Sequence, residues 1–150
     1  MRIEIRRPVA ATPDEVWATV SDPCVIGALS DTLIVDELEP GTKPGVGARY
    51  RALLQVGPVP VGGNVEIIEF NPPRDMAWTT LTGVDHRLRL RLRDRSEGGT
   101  WLSIRFSYDS PGLLGVVADV VSFPTVRSAI HGLLRQMVER VEADVPGRTS

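Results

Sequence analysis

His86 and Tyr108 are the residues whose type and spacing most directly suggest chemistry. His86 opens the stretch HRLRLRLRDR, in which Leu88, Leu90 and Leu92 alternate strictly with Arg87, Arg89, Arg91 and Arg93. A period of two is the signature of a strand with leucines on one face and arginines on the other. The next apolar run, WLSIRFSYD, follows the turn-rich DRSEGGT, so the two segments read as a hairpin. Pairing Leu92 with Leu102 sets Leu90 opposite Ile104, Leu88 opposite Phe106 and His86 opposite Tyr108, all on one face. A two-residue shift would keep those faces, whereas a one-residue slip would bury arginines. A neutral imidazole beside a phenol could take a proton from an activated carbon or hydroxyl. The same pair could equally be hydrogen-bonded at the end of an apolar face, with no chemistry.

The arginine face carries Trp101, Ser103, Arg105 and Ser107 from the second strand. Its simplest role is to cover the solvent side of the sheet, with Arg93 stacked on Trp101. Arg89 facing Arg105 then requires an acidic neighbour. Further along, Val126, Ile130, Leu133, Leu134, Met137, Val138 and Val141 form one stripe of a long amphipathic helix. With Ile130 at its centre, Arg127 lies roughly 60° and His131 roughly 100° round the helix, both bordering the buried face. Arg127 offers a fork that suits a ligand carboxylate or carbonyl; the alternative is a side chain snorkelling at the helix edge. His131 is read as a flank residue. Asp119, inside GVVADVVSF, would be costly if buried without a partner.

Other chemistries find no foothold. Cys24 is the single cysteine, and with His86 and His131 it makes no HExxH or CxxC spacing, so neither a metal nor any other cofactor is expected. GxSxG, P-loop and complete GxGxxG patterns are missing, which removes the hydrolase, phosphate-transfer and dinucleotide readings. A formal charge of −2 and a pI near 5.7 lack the basic balance of a nucleic-acid binder. No signal-peptide pattern opens the chain, and its longest apolar run, LLGVVADVVSF, is short and broken by Asp119. These features predict a soluble, cytoplasmic protein without an integral membrane segment.

The elements that must position these residues are legible in outline. Residues 2–10 read as a first strand, with Pro8 hinting at a bulge or strand end. In ATPDEVWATV, Thr12 is an N-cap, Pro13 suits the first helical position and Glu15 completes a capping box. Asp22-Pro23 ends that helix, and PCVIGAL adds a second short one. TLIVDEL, GARYRALLQV, GNVEIIEF and DMAWTTL precede the hairpin as further strands, and the short connections between them favour antiparallel neighbours. Pro124 is expected to kink or interrupt the final helix, leaving GLLGVVADVV as a separate helical piece. Residues 1–145 make one domain of the α+β class, and PGRTS, residues 146–150, a short tail.

This order resembles the helix-grip fold of the START-like (SRPBCC) superfamily, in its polyketide cyclase/dehydrase-like branch. The resemblance rests on VAATPDEVWATVSDP, PGVGARYRA, VEIIEFNPPRDMAW and the terminal helix. It implies a curved antiparallel sheet of about seven strands wrapped round a long C-terminal helix, with two short helices after the first strand. It also implies a cavity between sheet and helix for a small hydrophobic or amphipathic molecule, lipid-like or polyketide-like. The cavity-facing residues would be His86, Leu88, Leu90, Leu92, Ile104, Phe106 and Tyr108 from the hairpin. Val126, Arg127, Ile130 and Leu134 would face it from the helix. Three functions fit: binding without reaction, a cyclase or dehydratase with His86 and Tyr108 as catalytic acid-base pair, or a homodimeric interaction module without ligand.

Overall fold

In a computed structural model, residues 2–108 and 123–145 are described, the side chains of Val59 and Phe123 excepted. The expected helical piece GLLGVVADVV, Asp119 and the tail at 146–150 lie outside them. The chain runs β1 (Arg2–Val9), α1 (Pro13–Val20), α2 (Pro23–Leu29), β2 (Leu33–Glu37), β3 (Arg49–Val56), β4 (Val59–Asn71), β5 (Asp75–Thr80), β6 (His86–Asp94), β7 (Thr100–Tyr108) and α3 (Phe123–Asp144). All neighbouring strands are antiparallel, in the order β1-β7-β6-β5-β4-β3-β2. This is the helix-grip arrangement, with β1 and β2 as the edges.

Local signals set the helices. The Thr12 hydroxyl accepts the Glu15 N–H at 3.2 Å, and the Glu15 carboxylate accepts the Thr12 N–H at 2.8 Å. Two donors that would otherwise be orphaned are thereby satisfied. Asp22 caps α2 by accepting the Cys24 N–H at 2.9 Å. On α3 the buried stripe runs Val126, Ile130, Leu133, Leu134, Met137, Val138 and Val141, with Val145 buried just beyond its end. The helix is tied to the end of β1 by the Ala10 N–H, which donates to Glu142 at 2.9 Å.

Pro124 stands in the first described turn of α3, where a missing N–H removes no helical bond. β1 ends at Val9, one residue beyond Pro8; the proline pairs in register with Trp101, which an edge strand permits because one side of its backbone has no partner strand. β4 begins at Val59, ahead of the expected GNVEIIEF, so only Gly57 and Pro58 separate β3 from β4, with Gly57 at φ 59°. That sign suits the first position of a II′-like turn, and proline the second. The expected stack on Trp101 is corrected: its ring is met by Arg6 at 4.0 Å and Arg95 at 4.9 Å, not by Arg93. Arg93 turns instead to Asp75 at 3.0 Å, a charge-assisted bond.

Gly62 and Gly63 continue β4 because a Cβ there would strike the carbonyl oxygens of Ala52 and Thr82 respectively. The inner face fills with side chains that include Tyr50, Trp78, Leu92, Leu102 and Ile104. Tyr50 is fully buried, and its hydroxyl has no hydrogen-bond partner among the described residues. Burial, reinforced by Asp22, Cys24 and Glu37, pushes its pKa up to about 12, so the hydroxyl stays a neutral, unsatisfied donor. Such a group costs about 1–3 kcal/mol. Tyr50→Phe is therefore expected to raise the denaturation midpoint, by about 1 kcal/mol or more in chemical unfolding. A midpoint that falls would show that the hydroxyl is satisfied in solution.

Candidate functional site

The β6–β7 register is the expected one: Leu92 faces Leu102, Leu90 faces Ile104, Leu88 faces Phe106 and His86 faces Tyr108. Beside β6, Trp78 lies opposite Leu88, which brings the indole next to His86 on the inner face. The two residues meet directly, with the Trp78 Nε1–H donating to His86 Nε2 at 3.2 Å. On the other side of the ring, His86 Nδ1 lies 3.0 Å from the Val84 carbonyl oxygen and 3.2 Å from the Thr80 hydroxyl. An indole can only donate and a carbonyl can only accept, so the network assigns the proton to Nδ1 and leaves the Nε2 lone pair to the indole. Thr80 completes the clamp: its hydroxyl accepts the His86 N–H at 2.6 Å and donates to the His86 carbonyl oxygen at 2.7 Å.

Burial lowers the His86 pKa, against smaller upward pulls from the Val84 carbonyl and the Asp85 charge. The imidazole is accordingly neutral near pH 7. It stacks on Phe106 with ring centroids 5.5 Å apart, and Phe106 in turn meets Tyr108 at 5.7 Å. The Tyr108 pKa is raised by burial, so it too is neutral there. Three rings thus close one end of the sheet's inner face. A general base at this point would need the Nε2 lone pair that the indole already occupies.

Against these rings lies a void of about 20 Å³. That is room for roughly one water-sized group. The expected residues His86, Leu88, Phe106, Tyr108, Val126 and Ile130 all line it. Leu90, Leu92 and Ile104 do not: they are buried in the core away from it, because α3 and its neighbours already cover that part of the sheet. Leu134 is buried and lines a groove beside β1. Arg127 is exposed and is not among the described residues that line the void. His131 is exposed.

Leu33, Ala52, Leu54, Val56, Val61, Trp78, Val84 and Leu133 complete the lining. The alternation in RYRALLQV carries Ala52, Leu54 and Val56 on one face, a signal the hairpin-centred reading did not use. Nothing in the sequence indicates that Trp78 would meet His86, since that contact depends on the β5–β6 register. Among the described residues no cluster of His, Cys, Asp and Glu is placed to hold a metal ion. Nor is any helix among them long and apolar enough to cross a membrane.

A seven-stranded sheet gripping one long helix over an apolar interior defines a START-like, SRPBCC-type domain. The chain belongs to the family described as polyketide cyclase/dehydrase and lipid transport, whose model matches residues 1–145. No curated protein matches it. Among solved structures it is similar to a Thermus thermophilus protein at 16% identity and a TM-score of 0.78, over 95% of this chain and 98% of that one. It is similar to an aromatase/cyclase from Streptomyces at 20% identity and a TM-score of 0.70, over 98% of this chain and 96% of that one. A Rhodobacter sphaeroides protein shares 25% identity with a TM-score of 0.65, over 95% and 93% of the two chains.

The trapped imidazole makes stability depend on pH. Because the folded pKa of His86 lies below its ordinary value of 6.5, the unfolded chain binds the extra proton more readily. The contribution of the neutral ring is fully present above pH 6.5 and is lost as pH falls from there towards the folded value. Melting temperatures followed downwards from pH 7.5 should decline through this window, and His86→Phe should flatten the decline. A slope unchanged in that variant would assign it to other groups.

Proposed function

We propose that this chain binds a small hydrophobic or amphipathic molecule, lipid-like or polyketide-like, between the inner face of the sheet and α3. The observation that carries the reading is the void beside the His86–Phe106–Tyr108 rings, whose lining is aliphatic or aromatic apart from one neutral imidazole and one phenol. At about 20 Å³ the void is a closed state. Ligand pockets are usually about 300 Å³ or more, so the ligand binds by displacing side chains and stabilising an open minor state. The walls able to part lie at one end of the sheet: Val56 and Val61 near the β3–β4 turn, Val84 in the β5–β6 loop and Val126 near the start of α3.

Binding without reaction is the reading the site favours over a cyclase or dehydratase. Both His86 nitrogens are engaged, so the group best suited to accept a proton is held as a strut. Thermal-shift and native mass-spectrometric screening of medium-chain alcohols, fatty acids and aromatic polyketide analogues should find ligands that raise the melting temperature. Ala52→Val adds two methyl groups to the wall of the void and keeps a residue type that strands favour. It should weaken those ligands at least tenfold while the free variant melts within a few degrees of the parent. Undiminished binding in a folded Ala52→Val protein would move the site elsewhere.

A further inference from the structure

The outer face of the same sheet carries the arginines, and most of them are neutralised. Arg89 makes a bidentate pair with Glu69, 3.0 Å in each arm. Arg91 and Arg93 share Asp75 at 3.7 and 3.0 Å, Arg95 meets Glu97 at 3.2 Å, and Arg105 meets Glu4 at 3.4 Å. Arg87 and Arg2 are different: neither has an ion pair or hydrogen-bonded side chain among the described residues, and both are exposed. They are also adjacent, because Ser107 pairs with Arg2 across β1–β7 and with Arg87 across β6–β7. Two inter-strand spacings put their Cα atoms about 10 Å apart, with the serine hydroxyl between them.

The two arginines stand in an open recess of about 590 Å³, which Thr79, Asp85 and Ser107 also line. Its remaining walls are His86 and Tyr108, the residues that close the apolar void from the inside. The recess and the void therefore share two walls, at the rim where β6 begins and β7 ends. Among the described residues Asp85 is the one acid in the recess lining, which sets two positive charges against one negative there. In the next row Arg89 and Arg105 are balanced by Glu69 and Glu4, so nothing there cancels the excess.

We infer that Arg2, Arg87 and Ser107 hold the anionic head, a carboxylate or phosphate, of an amphipathic acid whose apolar tail enters the void beside His86 and Tyr108. Guanidinium forks on either side of such a head supply charge-assisted, in-plane bonds, and the serine hydroxyl supplies a third donor. This inference rests on the binding function proposed above and names the ligand class.

Titrations of dodecanoate, dodecyl phosphate, dodecanol and inorganic phosphate, at low ionic strength, against the wild-type chain and the Arg2→Gln/Arg87→Gln double variant test it. Dodecanoate and dodecyl phosphate should each bind at least tenfold more tightly than dodecanol. The double variant should lose that preference while its affinity for dodecanol stays within about twofold, since exposed side chains contribute little to the fold. Equal binding of acid and alcohol by the wild type, or a preference that survives in the variant, overturns the head site but leaves the apolar pocket standing. Inorganic phosphate binding as tightly as dodecyl phosphate would make the recess a plain anion site and overturn the two-part ligand. Failure of all three chain-bearing probes to bind would bring down the pocket itself, and the head site with it.

Discussion

The antiparallel register of β6 against β7 is the constraint on which the rest of this structure depends. With Leu88 opposite Phe106, the apolar residues of both strands face α3 and the arginines face water. Displacement by one residue would turn Arg87, Arg89 and Arg91 inward, where each would lose hydration without a carboxylate to replace it. The observed pairing satisfies both faces. Glu4, Glu69 and Asp75 add to it from the neighbouring strands, each reaching an arginine on the outer face.

The inner face derives its character from the same pairing. His86 is carried onto the apolar side by the alternation, and there a polar ring must find partners. It finds them in Trp78 and the Val84 carbonyl, which together use both nitrogens. A residue that looks like a catalytic base in the sequence is in this way held neutral and occupied. The consequence is an end of the inner face that is hydrogen-bonded internally and presents flat ring surfaces.

The outer face shows how the charge is distributed. A molecule with a formal charge of −2 has no general affinity for anions, and Arg89, Arg91, Arg93 and Arg105 each meet an acid on the outer face. At the rim Arg87 and Arg2, without an ion pair among the described residues, flank Ser107 beside the residues that bound the void. An apolar interior and a cationic edge lie next to one another there.

Much of the fold could be read from residue order. The capping box at Thr12, the alternation from His86 to Arg93 and the stripe from Val126 to Val141 each identify an element, because each is a local pattern with its own period or hydrogen-bond requirement. The facing of the hairpin was legible for the same reason, since with two alternating strands a one-residue slip would bury arginines. Trp78 donating to His86, the exposure of Arg127, the unpartnered hydroxyl of Tyr50 and the contraction of the interior to about 20 Å³ were not legible. These depend on which strands become neighbours and how closely α3 settles on them. The sequence by itself determined the two faces of each element; only tertiary packing decided which side chains meet across them and how much space is left between.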